Sequence, residues 1–280
     1  ALSFKLTTLM AEGPEADLTA TQNAQPAIMA ASLAAFAVMQ KQMGFQLPAG
    51  AVCVAGHSLG EYSALTAAGS LSVAEAAKLL RIRGNAMQAA VPAGRGGMVA
   101  VIGPELSEVE AIVLEARNRA GGEIIEIANH NSTNQIVLSG TARGMEVAIA
   151  VAKEKGAKRA LPLSVSAPFH CSLMAPAALV MQEALMAVDL KAPAVPLIAN
   201  VTAERISDPS FIKDLLVQQV TGMVRWVDSI ERMKVRGVTR IIEIGHGNVL
   251  AGLIKRIAPE IAVVNIGTPE DLDGLAKAAA

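Results

Sequence analysis

Apolar residues fall along this chain in two patterns, short unbroken runs and longer stretches at helical spacing. The most apolar stretch is "PAIMAASLAAFAVM", residues 26–39. It is too short for a bilayer span, which needs about 20 residues, and no basic leader precedes it. Pro26 suits the first turn of a buried helix that ends at Gly44. "AVCVA" (51–55) predicts a short strand, and residues 61–68 a helix closed by Gly69. "SVAEAAKLLRIRGNAMQAAV" (72–91) opens on a capping box, Ser72 with Glu75, and reads as a helix.

The middle of the chain predicts a self-contained unit. "GMVAVIG" (97–103) is a strand, and "SEVEAIVLEARNRA" (107–120) a helix with a Ser/Glu box of its own. "EIIEIAN" and "NQIVLSG" are strands joined by a turn at His130–Thr133, followed by the helix "GMEVAIAVAKEKG" and the strand "KRALPLSV". The order β-α-β-β-α-β is ferredoxin-like and predicts a small subdomain over residues 91–164. Beyond it, helix 174–188, strand "VPLIANV", helices 209–220 and 226–236, strand "RIIEIG", helix "NVLAGLIKRI" and strand "IAVVNIG" alternate. That alternation predicts an α/β fold, a mostly parallel sheet with helices on both faces and an α/β-hydrolase-like core. Residues 1–90 and 165–280 would form this large subdomain, with the small one inserted. Residues 1–25 contain no convincing strand, where a parallel α/β domain usually opens with one.

With 280 residues, 52% hydrophobic and 18% charged, the chain can bury a sizeable core. A net charge of −1 gives no reason to expect nucleic acid or an anionic membrane as partner. Five Phe, one Tyr and one Trp are too few for base-stacking platforms. Cys53 and Cys171 stand alone without metal-ligand spacing, and read as free thiols in a reducing, cytoplasmic setting.

The candidate chemistry centres on Gly56-His57-Ser58-Leu59-Gly60, a Gly-x-Ser-x-Gly nucleophile elbow between the predicted strand and helix. The plainer alternative makes Ser58 an N-cap, boxed with Glu61. The strand-turn-helix context favours the elbow, in which the helix N-terminus faces a developing oxyanion. Such a serine needs a base. His57 adjoins it in sequence and should point elsewhere, to substrate or into packing. His130 falls in the predicted hairpin turn. His246, in a glycine-flanked turn, is a second candidate. His170 follows a strand and precedes a helix, which returns it to the same sheet edge as Ser58, so it is the favoured base. No Asp lies between Ser58 and His170. A Ser–His dyad oriented by a backbone carbonyl is therefore expected, acting on an activated acyl donor such as a thioester.

The segments "GHSLGEYSAL", "RIRGNAMQAAVP", "NHNSTNQIVLSG", "AKRALPLSVSAPFHCSLMAPAA" and "IIEIGHGNVLAGLIKRI" together resemble the malonyl-CoA:acyl carrier protein transacylases, in order and through nearly the whole chain. The resemblance implies that Ser58 carries malonate as an ester, with His170 as base and then acid. It implies that Arg83 pairs with the free malonyl carboxylate, where the bland alternative is a solvated residue on a basic face beside Arg81. Gln219 would orient His170 through its main-chain oxygen. Asn131 matches an asparagine of the family's site-facing hairpin and would contact substrate, with turn stabilisation as its bland alternative, and the Leu59 N–H would be one oxyanion donor. His57 is a further candidate for substrate contact from its position alone. Phe169 is the residue type of malonyl-selective members. The implied substrates are malonyl-CoA and phosphopantetheinylated acyl carrier protein, with no tightly bound cofactor, no metal, and a monomer serving fatty-acid synthesis. The chain lacks the family's early Gly-Gln-Gly-Ser-Gln loop, the source of the second oxyanion donor, so an N-terminal segment is expected to be missing. The competing readings are a serine thioesterase or other hydrolase, and an inactive truncated homologue acting as a binding module.

Overall fold

A computed structural model describes residues 1–272. The chain opens with α1 (Leu6–Glu12), α2 (Glu15–Thr19) and α3 (Thr21–Met43), then α4 (Leu47–Gly50), α5 (Gly60–Ala67) and α6 (Val73–Ala90). α3 ends where expected, at Gly44 in the left-handed conformation. It starts earlier than expected, so Pro26 lies inside the helix. Proline has no N–H to give the carbonyl four residues back. That carbonyl, on Gln22, instead accepts Arg81 Nη1 at 3.0 Å, which docks α6 on α3. Gly84 completes the contact, since a Cβ there would lie 2.4 Å from Gln22 Cα. α6 begins on the Ser72–Glu75 capping box.

The middle of the chain runs β1 (Gly96–Ile102), α7 (Leu106–Arg119), β2 (Ile125–Ser132), β3 (Gln135–Thr141), α8 (Ala142–Glu154) and β4 (Arg159–Pro162). The four strands form one antiparallel sheet in the order β2-β3-β1-β4. Val109, Ile112 and Ala116 of α7 and Ala148, Val151 and Ala152 of α8 cover one face, over Val99, Val101, Ile136 and Leu138. On the other face Met98, Ala100, Ala128 and Val137 meet Phe169. Two local expectations change. The box that starts α7 is Glu105 with Glu108, two residues earlier than the expected Ser107. The hairpin turn is Thr133–Asn134, so His130 and Asn131 belong to β2. His130 is buried, not solvated.

The remainder holds α9 (Ala175–Met186), β5 (Leu197–Ile198), β6 (Arg205–Ile206), α10 (Pro209–Thr221), α11 (Trp226–Val235), β7 (Arg240–Ile244), α12 (Val249–Ile257) and β8 (Ala262–Ile266). Its pairing is sparser than the alternation predicts. β7 and β8 are parallel, β5 and β6 antiparallel, and the run at 51–55 reduces to one parallel bridge, Val54 with Leu197. Pro196 gives Val54 a carbonyl but no N–H, and Asn200 turns the chain away, so this ladder ends after two bonds. The largest apolar cluster joins α5, α6, α9 and α10 through Tyr62, Leu65, Leu80, Met181 and Leu216. The result is a mixed α/β fold. Among the described residues no helix is long and apolar enough to cross a membrane.

Candidate active site

Ser58 stands at the corner between the Val54 bridge and α5, with φ of 53°. A non-glycine residue there is strained by about 1–3 kcal/mol and persists only when its surroundings hold it. Three contacts do so. Its N–H donates to Asn200 Oδ1 at 2.8 Å, its carbonyl accepts Gln219 Nε2 at 2.9 Å, and Asn200 Nδ2 donates to Gly56 O at 2.7 Å. Gly56 is required because a Cβ would lie 2.0 Å from the Gly60 carbonyl carbon. Gly60 is not crowded in the same sense, since its own Cβ would meet nothing within 4 Å.

His170 has a left-handed φ of 59° in the loop between β4 and α9. That loop is tied to β2 where the Ser172 N–H and hydroxyl donate to the Glu126 carboxylate at 2.9 and 2.6 Å. His170 Nδ1 lies 2.8 Å from Gln219 O, and Nε2 lies 2.8 Å from Ser58 Oγ. A carbonyl can only accept, so Nδ1 carries the proton and Nε2 is left to accept from the serine hydroxyl. Burial, and then the Arg83 charge, push the imidazole pKa down to about 3. It is thus a neutral acceptor at any working pH.

Arg83 projects from α6 with 2% of its surface exposed, which excludes the solvated alternative. Nη2 donates to Ser58 Oγ at 3.0 Å and to Gln219 Oε1 at 2.8 Å, and Nη1 to Gln25 Oε1 at 2.7 Å. Nε has no partner among the described residues. Burial lowers its pKa. Arg81 points away, to Gln22 and Asn23, with its guanidinium over the Phe4 ring.

Ser58, His170, Arg83 and Gln219 therefore meet within hydrogen-bonding distance. Leu59 follows the nucleophile, and its N–H meets no acceptor among the described residues. His57 and Asn131 form a separate pair, Nε2 to Oδ1 at 2.8 Å, with His57 tilted 5.6 Å from the Trp226 ring. Burial lowers the His57 pKa. His246 is exposed after β7 and makes none of these bonds. The Ser58–Glu61 capping box does not form. Glu61 is instead 1% exposed, its Oε1 accepting the Asn200 N–H at 2.7 Å and its Oε2 accepting Gln219 Nε2. Burial pushes its carboxyl up to about 8, while the Asn200 N–H, the Gln219 amide and Arg83 favour the ionised form.

A strained serine bonded to a neutral imidazole, with a buried guanidinium on the same oxygen, is acyl-transfer machinery. The acyl transferase domain family matches residues 1–266. The chain belongs to that family. Within it, the chain is 43% identical over 272 residues to the malonyl CoA-acyl carrier protein transacylase of Bacillus subtilis, covering 97% of this chain and 84% of the relative. It is 41% identical over 269 residues to that of Escherichia coli K12, covering 96% and 85%. Among solved structures, the acyl-carrier-protein-S-malonyltransferase of Bartonella henselae superposes with a TM-score of 0.94 at 50% identity, covering 99% of this chain and 87% of that one. A malonyl-transacylase in complex with a type II polyketide acyl carrier protein superposes at 0.93 with 37% identity, covering 98% and 87%.

For this acyltransferase, residue-by-residue reading missed Asn200, Gln25 and the role of Glu61. Glu61 lies inside the elbow segment, but its spacing from Ser58 matched a cap equally well. Asn200 and Gln25 sit in no motif. An apolar run ending in Asn, and a Gln opening an apolar helix, were the available signals.

Proposed function

We infer that this protein moves a malonyl group from malonyl-CoA to the phosphopantetheine thiol of acyl carrier protein, through an ester on Ser58. The observation that carries the reading is the shared Ser58 Oγ, 2.8 Å from the His170 imidazole and 3.0 Å from the Arg83 guanidinium. A cation buried beside a nucleophile suits an acyl group that ends in a carboxylate, and a fatty acyl chain has no use for it.

The reaction follows from the geometry. Nε2 of His170 takes the hydroxyl proton as Oγ attacks the thioester carbonyl. The imidazolium that forms keeps its Nδ1 proton on Gln219 O. The Leu59 N–H, at the start of α5, donates to the oxyanion. His170 returns the proton to the departing coenzyme A thiolate. The steps then run in reverse with the carrier thiol, which His170 deprotonates for attack on the malonyl ester. Arg83 holds the far carboxylate throughout, and its fixed place relative to Oγ sets the acyl length. His57 and Asn131, bonded to each other, would contact the substrate.

We also read residues 91–164 as a ferredoxin-like subdomain inserted into a large one formed by 1–90 and 165–280, of which 273–280 lie outside the described residues. Its separate apolar cluster supports the division. The protein would act as a monomer in the reducing cytoplasm, with no bound cofactor or metal, supplying fatty-acid synthesis. The test is peptide mass spectrometry after incubation with malonyl-CoA. A malonyl ester should appear on Ser58 and vanish in Ser58→Ala, whereas labelling at Ser63 or Ser72 would overturn the elbow.

A further inference from the structure

We propose that Glu61 is a positioning residue that fixes the side-chain amide of Gln219, and through it the aim of the Arg83 guanidinium at the substrate carboxylate. The proposal deepens the transacylase reading and rests on it.

Gln219 is fully buried and its amide sits between groups of opposite demand. Its Nε2 faces three acceptors, Glu61 Oε2, the Ser58 carbonyl at 2.9 Å and Asn200 Oδ1 at 3.3 Å. Its Oε1 faces a donor, Arg83 Nη2, at 2.8 Å. Turned by half a rotation, the amide would set N–H against guanidinium and oxygen against carboxylate. Only one orientation satisfies the pocket.

Both Glu61 oxygens face N–H donors, from Asn200 and Gln219, and with Arg83 nearby these favour the ionised carboxylate. In that form Glu61 accepts at both oxygens and enforces the orientation. The Asn200 backbone N–H holds Oε1 at 2.7 Å, which leaves Oε2 for Gln219 alone. A glutamine at 61 has one acceptor oxygen for two donors. Either the Asn200 N–H loses its partner, or the Gln219 amide turns and presents N–H groups to Arg83. Besides Ser58 Oγ, the guanidinium is anchored by Gln25 Oε1 at 2.7 Å, an amide itself held by Nε2 donating to Thr21 Oγ1 at 3.0 Å. Two amide oxygens thus fix the guanidinium plane, and Glu61 governs one of them. Glu61 makes no bond to Ser58 Oγ or to His170 and acts through Gln219.

The experiment compares wild type and Glu61→Gln in single-turnover loading of Ser58 from malonyl-CoA and from acetyl-CoA. The malonyl-to-acetyl ratio should fall about 10- to 100-fold in the variant, as expected for losing one hydrogen bond to a charged group. The loss should appear in the KM for malonyl-CoA and leave that for acetyl-CoA unchanged. No malonyl ester on wild-type Ser58 overturns the transacylase reading and this proposal together. Malonyl loading in wild type with an unchanged ratio in the variant, both donors slowing alike, overturns the proposal alone. Should Glu61→Gln not fold, neutron diffraction on the wild type locates the Gln219 deuterons. Two deuterons on the atom facing Glu61 support the proposal, and two on the atom facing Arg83 overturn it.

Discussion

Replacing Arg83 with alanine should turn a malonyl-selective enzyme into one that prefers acetyl-CoA. The two donors differ by one terminal carboxylate. In a pocket where the guanidinium is 2% exposed, that anion enters only if it is paired. Removing one partner of a buried ion pair costs about 3–5 kcal/mol, which is roughly two to three and a half decades of kcat/KM at 1.4 kcal/mol per decade. Acetyl-CoA offers no partner, so in wild type Arg83 stays on Ser58 Oγ and draws on a lone pair needed for attack. Alanine frees that lone pair, and acetyl loading should hold steady or rise. The substitution also strips Gln25 Oε1 and Gln219 Oε1 of their donor, at roughly 1–3 kcal/mol each unless water fills the hole. Some loss of thermal stability is therefore expected, and the decisive quantity is the ratio of the two donors. The assay is transfer to holo acyl carrier protein from each thioester. If both rates fall equally, Arg83 is structural and the selectivity argument is wrong.

Three further outcomes are expected. His170→Ala should slow Ser58 loading roughly 10²- to 10⁴-fold, while His246→Ala, altering an exposed side chain, should leave it near wild type; the reverse order in stopped-flow loading rates would move the base to His246. With His170 held at about 3, the loading rate should show no histidine limb near 6.5, and a fall centred there would mean the imidazole titrates normally. Its folded pKa lies below the ordinary value, so the unfolded chain takes up the proton first. The stability this confers is complete above 6.5 and is lost as pH falls toward 3, at about 1.4 kcal/mol per pH unit, and His170→Asn should flatten that part of a denaturant-versus-pH series. Gly56→Ala should destabilise by on the order of 1–3 kcal/mol or more through its backbone clash, whereas Gly60→Ala, with open space at its Cβ, should melt like wild type.

The Ser58–His170 contact was legible because both residues announce themselves locally: a serine between glycines at a strand-helix corner, and a histidine just after a strand. The β-α-β-β-α-β order was legible for a similar reason, since its strands are flanked by helices with clear apolar periodicity. The interior polar contacts were not. Glu61 and Ser58 have capping-box spacing, and spacing alone cannot tell that the carboxylate turns inward to Asn200 and Gln219, which lie far away in sequence. Pro26 misled because helix starts favour proline, while here Arg81 takes over the carbonyl that proline leaves free. His130 was misplaced because the hairpin turn tightened to Thr133–Asn134, drawing it into a buried strand. The strands at 51–55 and 195–201 were overread, because apolar runs carry no record of how many ladder bonds their neighbours can supply.

Ser58 and His170 share a left-handed backbone, at φ of 53° and 59°, in a chain where glycine occupies most such positions. Glycine at either would relax the backbone and would end catalysis. Backbone conformation and chemistry therefore ask for opposite residues at two places. A copy of this chain released from its reaction relieves strain by drifting to glycine at 58, whereas at 170 the relief is set against the cavity and the unpaired Gln219 carbonyl that the buried imidazole would leave. The side chain kept at 58 is thus a running record of selection for turnover. The same signature, non-glycine residues held at positive φ around one pocket, offers a way to separate working members of this family from decayed ones before any assay is run.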